Sequence, residues 1–493
     1  MSGGRPNVLL VMSDQHNARV MGCAGDDVVS TPNLDRLASE GTTLTNLYTP
    51  SPLCMPARMS FMTGLLPSRS GVLTNNQILS GGRPTLAHAA GAAGYRPYLA
   101  GKLHVLGPDQ LLGFADRAVG DHGANYPGGR PAPLGELAGT AGPGRISLEK
   151  SGYGRTAYQL RDELAAEAAI AHLEAQAASG EPFFLNLGLM LPHQPFVAAR
   201  EDYERYAGRV GPPRVPAPPE SDRRHPFLAW WRGATGIEEP VPEEVVLRAR
   251  TAYWGMVDRM DRILGGVLDA LDRLGLRENT LVVYTSDHGE HAGERGLWWK
   301  QTFFEDSCRV PGIVRWPGVV PAGGECARVA SLLDVTATLL DAVGAPALPR
   351  SPGRSLLPLL ADAAAPWDDL AISEYCIDAG HYPDIRPPEG CYQRMVRKGR
   401  FKYLDYGRQP PQLFDLADDP DELRDLAGDP AFATVEAELR AVARDGWDPL
   451  ELEAETRLAL DEMAIVDAWC RTVEPPDRFR WEIEPGFNAL DGP

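Results

Sequence analysis

Apolar positions along this chain fall into two textures. Asn7–Ser13, NVLLVMS, is an unbroken apolar run rich in branched side chains, the pattern of a strand buried on both faces of a parallel sheet. PFFLNLGLM at 182–190 and TLVVYTS at 280–286 have the same texture. Between these runs the apolar residues take helical spacing. PNLDRLASEG at 32–41 predicts a short helix with Pro in its first turn and Gly after its end. A strand near 43–48, a helix after Pro56 and a helix near 85–93 follow. AYQLRDELAAEAAIAHLEAQAAS at 157–179 and the segment at about 243–274 predict long amphipathic helices. Strands alternating with helices imply an α/β fold, a mostly parallel central sheet flanked by helices.

Near residue 365 the texture changes. LAISEYC, YQRMVRKGRFKYLDY and PQLFDL are short strand-like pieces set close together, which predicts an antiparallel sheet. Helical stretches near 432–445 and 451–470 and a Pro-rich tail complete the chain. The expected division is a catalytic domain at 1–365 and a smaller C-terminal α/β domain at 366–493.

Composition narrows the function. The 493 residues carry a net charge of −19, which argues against nucleic acid, because a phosphate backbone needs a cationic footprint. An anionic substrate must then be captured by local charge against the global field. The seven cysteines (23, 54, 308, 326, 376, 391 and 470) are odd in number and scattered. That is no disulfide framework, and it predicts a reducing, cytoplasmic location. The apolar run at the N-terminus is too short for a signal peptide or a membrane span.

Candidate chemistry lies where the strands end, since ligands of a parallel sheet gather outside the carboxyl ends of its strands. The three clearest strands run into SDQH (13–16), LPHQP (191–195) and SDHGEHAGE (286–294). Asp14, Gln15, Asp287 and His288 would converge there, offering two carboxylates, an amide oxygen and an imidazole to a divalent cation. In AGKLH at 100–104, Lys102 and His104 point the same way if the segment is extended, a pairing suited to anion binding and proton transfer. His193 and Lys300 are further candidates. No G-x-S-x-G, P-loop or dinucleotide fingerprint is present.

The segment LCMPAR, with Cys54, Pro56 and Arg58, resembles the C-x-P-x-R signature of type I sulfatases, in which a maturation enzyme oxidises the cysteine to formylglycine. NVLLVMSDQ, TPNLDRLASEG, GYRPYLAGKLH, PHQPF, NTLVVYTSDHGEHAGERGLWWK and QLFDLADDPDELRDLA extend the resemblance over most of the chain. It implies an alkaline-phosphatase-like fold and hydrolysis of an organic sulfate ester to alcohol and inorganic sulfate. It also implies a metal held by Asp14, Gln15, Asp287, His288 and the modified residue 54, Ca²⁺ first and Mn²⁺ second. Arg58 would steady the formylglycine. Lys102, His193 and Lys300 would hold sulfate oxygens or assist the leaving oxygen, and His104 would take a proton as sulfate is expelled. A hydrated aldehyde fits this task because one hydroxyl can attack and the other can later drive sulfate out.

Within that family the segments around SPLC, GKLHVLGPDQLLGF, ERGLWWK and MVRKGRFKYLDY look most like choline sulfatases. A quaternary ammonium needs an aromatic cage beside a carboxylate, for which Asp378, Trp298, Trp299, Tyr375 and Tyr382 are the candidates. The loop 117–135 lacks the tryptophan expected of such a cage. The rivals are a phosphonate monoester or phosphodiester hydrolase of the same superfamily and an inactive sulfate-ester-binding homologue. The expected partners are a small sulfate ester and a maturation enzyme, with no nucleic acid or membrane; a homo-oligomer is compatible with the sequence.

Overall fold

A computed structural model describes residues 5–217, 225–377 and 392–492. Its centre is an eight-stranded sheet. In spatial order the strands are Gly324–Cys326, Thr42–Leu44, Gly312–Arg315, Thr280–Ser286, Asn7–Ser13, Phe184–Gly188, Tyr98–Gly101 and Asp116–Ala118. All neighbours run parallel except the pairs made by Gly312–Arg315.

The unbroken apolar runs are explained by burial on both faces. Leu9 and Val11 pack on one face with Leu34, Leu173, Val257 and Leu264. Val8, Leu10 and Met12 pack on the other with Met59, Leu86 and Leu339. The first face is covered by Pro32–Glu40, Ala157–Ser179 and Glu243–Arg273, the second by Cys54–Thr63, Leu86–Ala92 and Leu332–Ala342.

The antiparallel C-terminal sheet is Leu370–Cys376, Tyr392–Lys398, Phe401–Asp405 and Gln412–Asp415. Helix Ala433–Arg444 packs on it through Leu439 and Ala443. The single strand expected at 43–48 is two short ones, Thr42–Leu44 and Leu47–Tyr48, which belong to different sheets. In the tail, Ala489–Gly492 pairs with Gly152–Arg155, a contact with no local signal. No helix among the described residues is long and apolar enough to cross a membrane.

Candidate active site

Register brings the first pair of acids together. Ser13 lies opposite Ser286 in the parallel ladder, so Asp14 and Asp287 leave the sheet side by side. Lys102 follows the strand Tyr98–Gly101, which lies beyond Phe184–Gly188 in the sheet, and donates its backbone N–H to Gly188 O at 2.8 Å. That approach needs bare backbone. A Cβ on Gly188 would lie 1.9 Å from Lys102 O, and Gly101 sits at φ +86°. His104 also has positive φ, +58°, so the alternation expected of an extended Lys102–His104 segment does not apply. Both side chains nevertheless face the same cavity.

Cys54 is the first residue of the helix Cys54–Thr63, every residue of which is buried. Leu53 supplies no side-chain cap, but Asn75 Oδ1 accepts the backbone N–H of Met55 at 3.0 Å. Cys54, at the positive end of the helix, lies beside the acids. Donor atoms of Asp14, Cys54, Asp287 and His288 all lie within 4.8 Å of one another. Cys54 Sγ is 3.1 Å from His288 Nε2 and 3.9 Å from Asp14 Oδ1.

Cations surround this cluster. Arg58 Nε donates to Asp287 Oδ2 at 2.7 Å, and its Nη2 donates to Ser13 O at 3.2 Å. Lys102 Nζ donates to Asp14, and Lys300 Nζ donates to the amide oxygen of Gln15. His193 Nε2 stands 4.0 Å from Asp14 Oδ1.

Electrostatics follow from burial and these neighbours. Burial would raise Asp14, but its charged neighbours, Lys102 first and Lys300 with it, outweigh burial and hold its carboxyl well below the usual range. Burial opposes the charge on Arg58, yet Asp287 and Asp14 hold it above the ordinary value. His288 is pushed down to about 4, chiefly by burial. Burial and then Lys102 lower His104, a shift partly offset by its contact with Cys54. The imidazoles are therefore neutral at neutral pH. Two buried carboxylates and a ring nitrogen beside residue 54 fit a divalent cation, a mix of hard oxygen and borderline nitrogen donors.

The cavity beside the cluster encloses about 310 Å³. Cys54, Lys102, His104, His193 and Lys300 line it, as do Asn75, His122 and Tyr158. The last three were missed by sequence reasoning. Tyr158 lies in the first turn of an amphipathic helix, where it reads as core, and His122 lies in a Gly-rich loop with no motif. Two missed acids act from behind. Asp162 accepts the backbone N–H groups of Met190 and Leu191, at 2.8 Å each, just before His193. Glu290 holds the Gln15 amide and accepts from Trp299 N at 2.7 Å.

The aromatic cage needs correction. Trp298, Trp299 and Tyr375 are buried and do not line the cavity. Trp298 packs on Phe196, Trp299 Nε1 donates to Ser147 Oγ at 3.0 Å, and Tyr375 packs on Phe227. Burying rings of this size stabilises the interior by their apolar area, and that is how they are used here. Asp378 and Tyr382 lie outside the described residues.

The sulfatase family profile matches residues 6–345, and the profile for the C-terminal part of N-sulphoglucosamine sulphohydrolase matches 293–445. The chain belongs to the sulfatase family. It is a sulfuric ester hydrolase with an alkaline-phosphatase-like fold. Among its relatives, the choline-sulfatase of Rhizobium meliloti (strain 1021) is 34% identical, with 93% of this chain and 90% of the relative covered. The multifunctional alkaline phosphatase superfamily protein PehA of Trinickia caryophylli is 30% identical, with 87% and 93% covered. The solved phosphonate monoester hydrolase of Agrobacterium radiobacter superposes with a TM-score of 0.73 at 26% identity, covering 92% of this chain and 96% of that one. The sulfatase family carries a divalent metal and formylglycine, and the Asp14–Cys54–Asp287–His288 cluster is the counterpart present in this chain.

Proposed function

We propose that this sulfatase hydrolyses a small organic sulfate ester through an oxidised side chain at position 54. One observation carries the reading: Asp14, Cys54, Asp287 and His288 converge within 4.8 Å beside a cavity that Lys102, His104, His193 and Lys300 also line. A maturation enzyme would convert Cys54 to formylglycine, whose hydrate supplies one oxygen for attack on sulfur and another for release of sulfate. A divalent ion held by Asp14, Gln15, Asp287 and His288 would supply Lewis acidity toward sulfuryl oxygens and lower the pKa of the hydroxyl at residue 54. With hydroxyl oxygen replacing thiol sulfur at residue 54 the donor set hardens, which favours Ca²⁺, with Mn²⁺ second.

The chain's own side chains do the rest. Arg58, anchored on Asp287 and Ser13, fixes residue 54. Lys102 and Lys300 hold sulfate oxygens as point charges, and the helix end beneath Cys54 adds fixed positive potential. His193 faces the same cavity and assists the leaving oxygen. His104, neutral through burial, accepts the proton from residue 54 as sulfate departs.

Choline sulfate is the first ester to try, because the Rhizobium meliloti choline-sulfatase matches nearly the whole chain. A phosphonate monoester or phosphodiester is the second reading, favoured by the likeness to the Agrobacterium radiobacter phosphonate monoester hydrolase. The odd number and scatter of the seven cysteines favour a reducing compartment, the cytoplasm. The test is a peptide mass spectrum across Cys54, followed by kinetics on sulfate, phosphate and phosphonate esters. Aldehyde at residue 54 with sulfate esters leading in kcat/KM is expected. Full activity from protein carrying only the thiol would overturn the mechanism.

A further inference from the structure

The sulfate end of the cavity is fixed by Cys54, so the ester's alcohol must lie against the remaining wall. Asp121, His122, Gly123, Ala124 and Tyr158 belong to that wall. His122 Nε2 and Tyr158 OH are 3.2 Å apart, and the Tyr158 ring stands 6.2 Å from that of His193. Burial, then Arg161 and Lys102, pushes His122 down to about 3, so the pair is neutral.

Residues 120–125 lie beyond the strand Asp116–Ala118, in no regular element. What holds them comes from the far end of the chain. Asn125 N donates to Asp477 Oδ1 at 2.7 Å, and Arg478 N donates back to Asn125 Oδ1 at 2.5 Å. Trp481 N donates to Asp121 O at 2.9 Å. Arg480 is the centre of the brace. Its Nε donates to His122 O at 3.1 Å, its Nη2 to Arg130 O at 2.8 Å, and its Nη1 pairs with Asp477 at 2.7 Å, with only 3% of the side chain exposed. The two backbones meet at Gly120, where any Cβ would lie 1.5 Å from Phe479 O.

The tail then reaches the other half of the pair. Asn488, buried, accepts the backbone N–H of Ala157 at 2.9 Å, one residue before Tyr158. Ala489 and Leu490 pair with Arg155 and Gly154.

We infer that the C-terminal segment 477–490 is a positioning element for substrate discrimination: through Arg480, Asp477 and Asn488 it sets the His122–Tyr158 wall against the ester's alcohol. This rests on the sulfatase reading above and deepens it. The tail touches none of the groups assigned to sulfate directly; it reaches them through Asp121, whose backbone O accepts Trp481 N and whose side chain accepts the backbone N–H of His104 at 2.8 Å. Arg480 and Asn488 bear instead on His122 and on the turn before Tyr158, so they govern how well the alcohol fits.

The experiment is steady-state kinetics of the metal-loaded, matured enzyme on 4-nitrophenyl sulfate, with inorganic sulfate as competitive inhibitor. Sulfate probes only the end of the cavity near Cys54. Arg480→Ala should raise KM about tenfold, the scale of a small misplacement of a binding wall. Both kcat and the sulfate inhibition constant should stay within about twofold. Arg480→Lys should recover part of the loss, and in a His122→Ala background Arg480→Ala should have no further effect on KM. If Arg480→Ala does not fold, Asp477→Asn removes the paired charge and serves for the same comparison. Unmoved KM, a parallel rise in KM and the sulfate constant, or an undiminished effect without the His122 ring would each overturn the inference. A wild type that hydrolyses no sulfate ester would sink the reaction reading as well, whereas an active wild type with unmoved KM sinks this inference alone.

Discussion

The two ends of the one cavity are built in opposite ways. At the sulfate end, Asp14, Lys102 and Asp287 each stand one residue beyond a strand of the central sheet, and Cys54 opens a buried helix. Their positions follow from ladder register and dense packing, which tolerate little displacement. At the other end, Asp121 to Ala124 lie on a loop, and their backbone is fixed by partners from the far end of the chain. The sulfate end is therefore suited to chemistry that does not vary. The loop end is suited to a substrate portion that does, because a loop can be rebuilt without disturbing the sheet.

If that contrast is right, the largest effects come from the sulfate end. Cys54→Ala should lower kcat by on the order of 10⁴-fold or more, the scale of losing a nucleophile, with the melting temperature little changed. Activity close to wild type would end the comparison outright. Chelation of the metal should remove activity and lower the melting temperature by roughly several degrees, because a ligand bound only to the folded state stabilises it. Recovery on adding Ca²⁺ or Mn²⁺ would separate metal loss from unfolding.

His104→Ala should cost about 10²–10⁴ in kcat, the usual worth of a positioned proton acceptor. Burial and Lys102 depress the pKa of His104. Its proton-accepting form is thus present above that lowered value and is lost as pH falls through it. The acid limb of kcat should therefore lie below pH ~6.5, the ordinary histidine value, and shift in the variant. A limb unchanged by His104→Ala would assign the proton to another group.

The smallest effect belongs to the loop. His122 has a folded pKa of about 3, while the unfolded chain takes up its proton near ~6.5. Its stability contribution is complete above the higher value and declines as pH falls toward the lower. His122→Gln should flatten the fall in melting temperature between those limits by about 1 °C per pH unit. Calorimetry across that range would show it, and an unchanged slope would mean that His122 is not held neutral.

Much of the fold is legible in the amino-acid sequence. The apolar runs at 7–13 and 280–286 are strands with those bounds, and the helices expected at 157–179 and about 243–274 run Ala157–Ser179 and Glu243–Arg273. Long periodic elements are readable because each residue's burial repeats at the period of its own backbone. The grouping of Asp14, Asp287 and His288 is readable for a related reason, since each lies just past a recognisable strand. The Trp298 and Trp299 cage failed because a sequence shows that an aromatic is present and not which way it faces.

The sequence by itself determined the strand-and-helix alternation and the chemical inventory at the strand ends, since both rest on local spacing. Only the tertiary structure decided which groups share the cavity: His122 and Tyr158 inside it, Trp298 and Tyr375 in the core, and Arg480 braced behind the loop. The physical reason is distance along the chain. A contact between residues 122 and 480 leaves no periodicity in either segment, and it exists only once the sheet has folded and carried the two ends together.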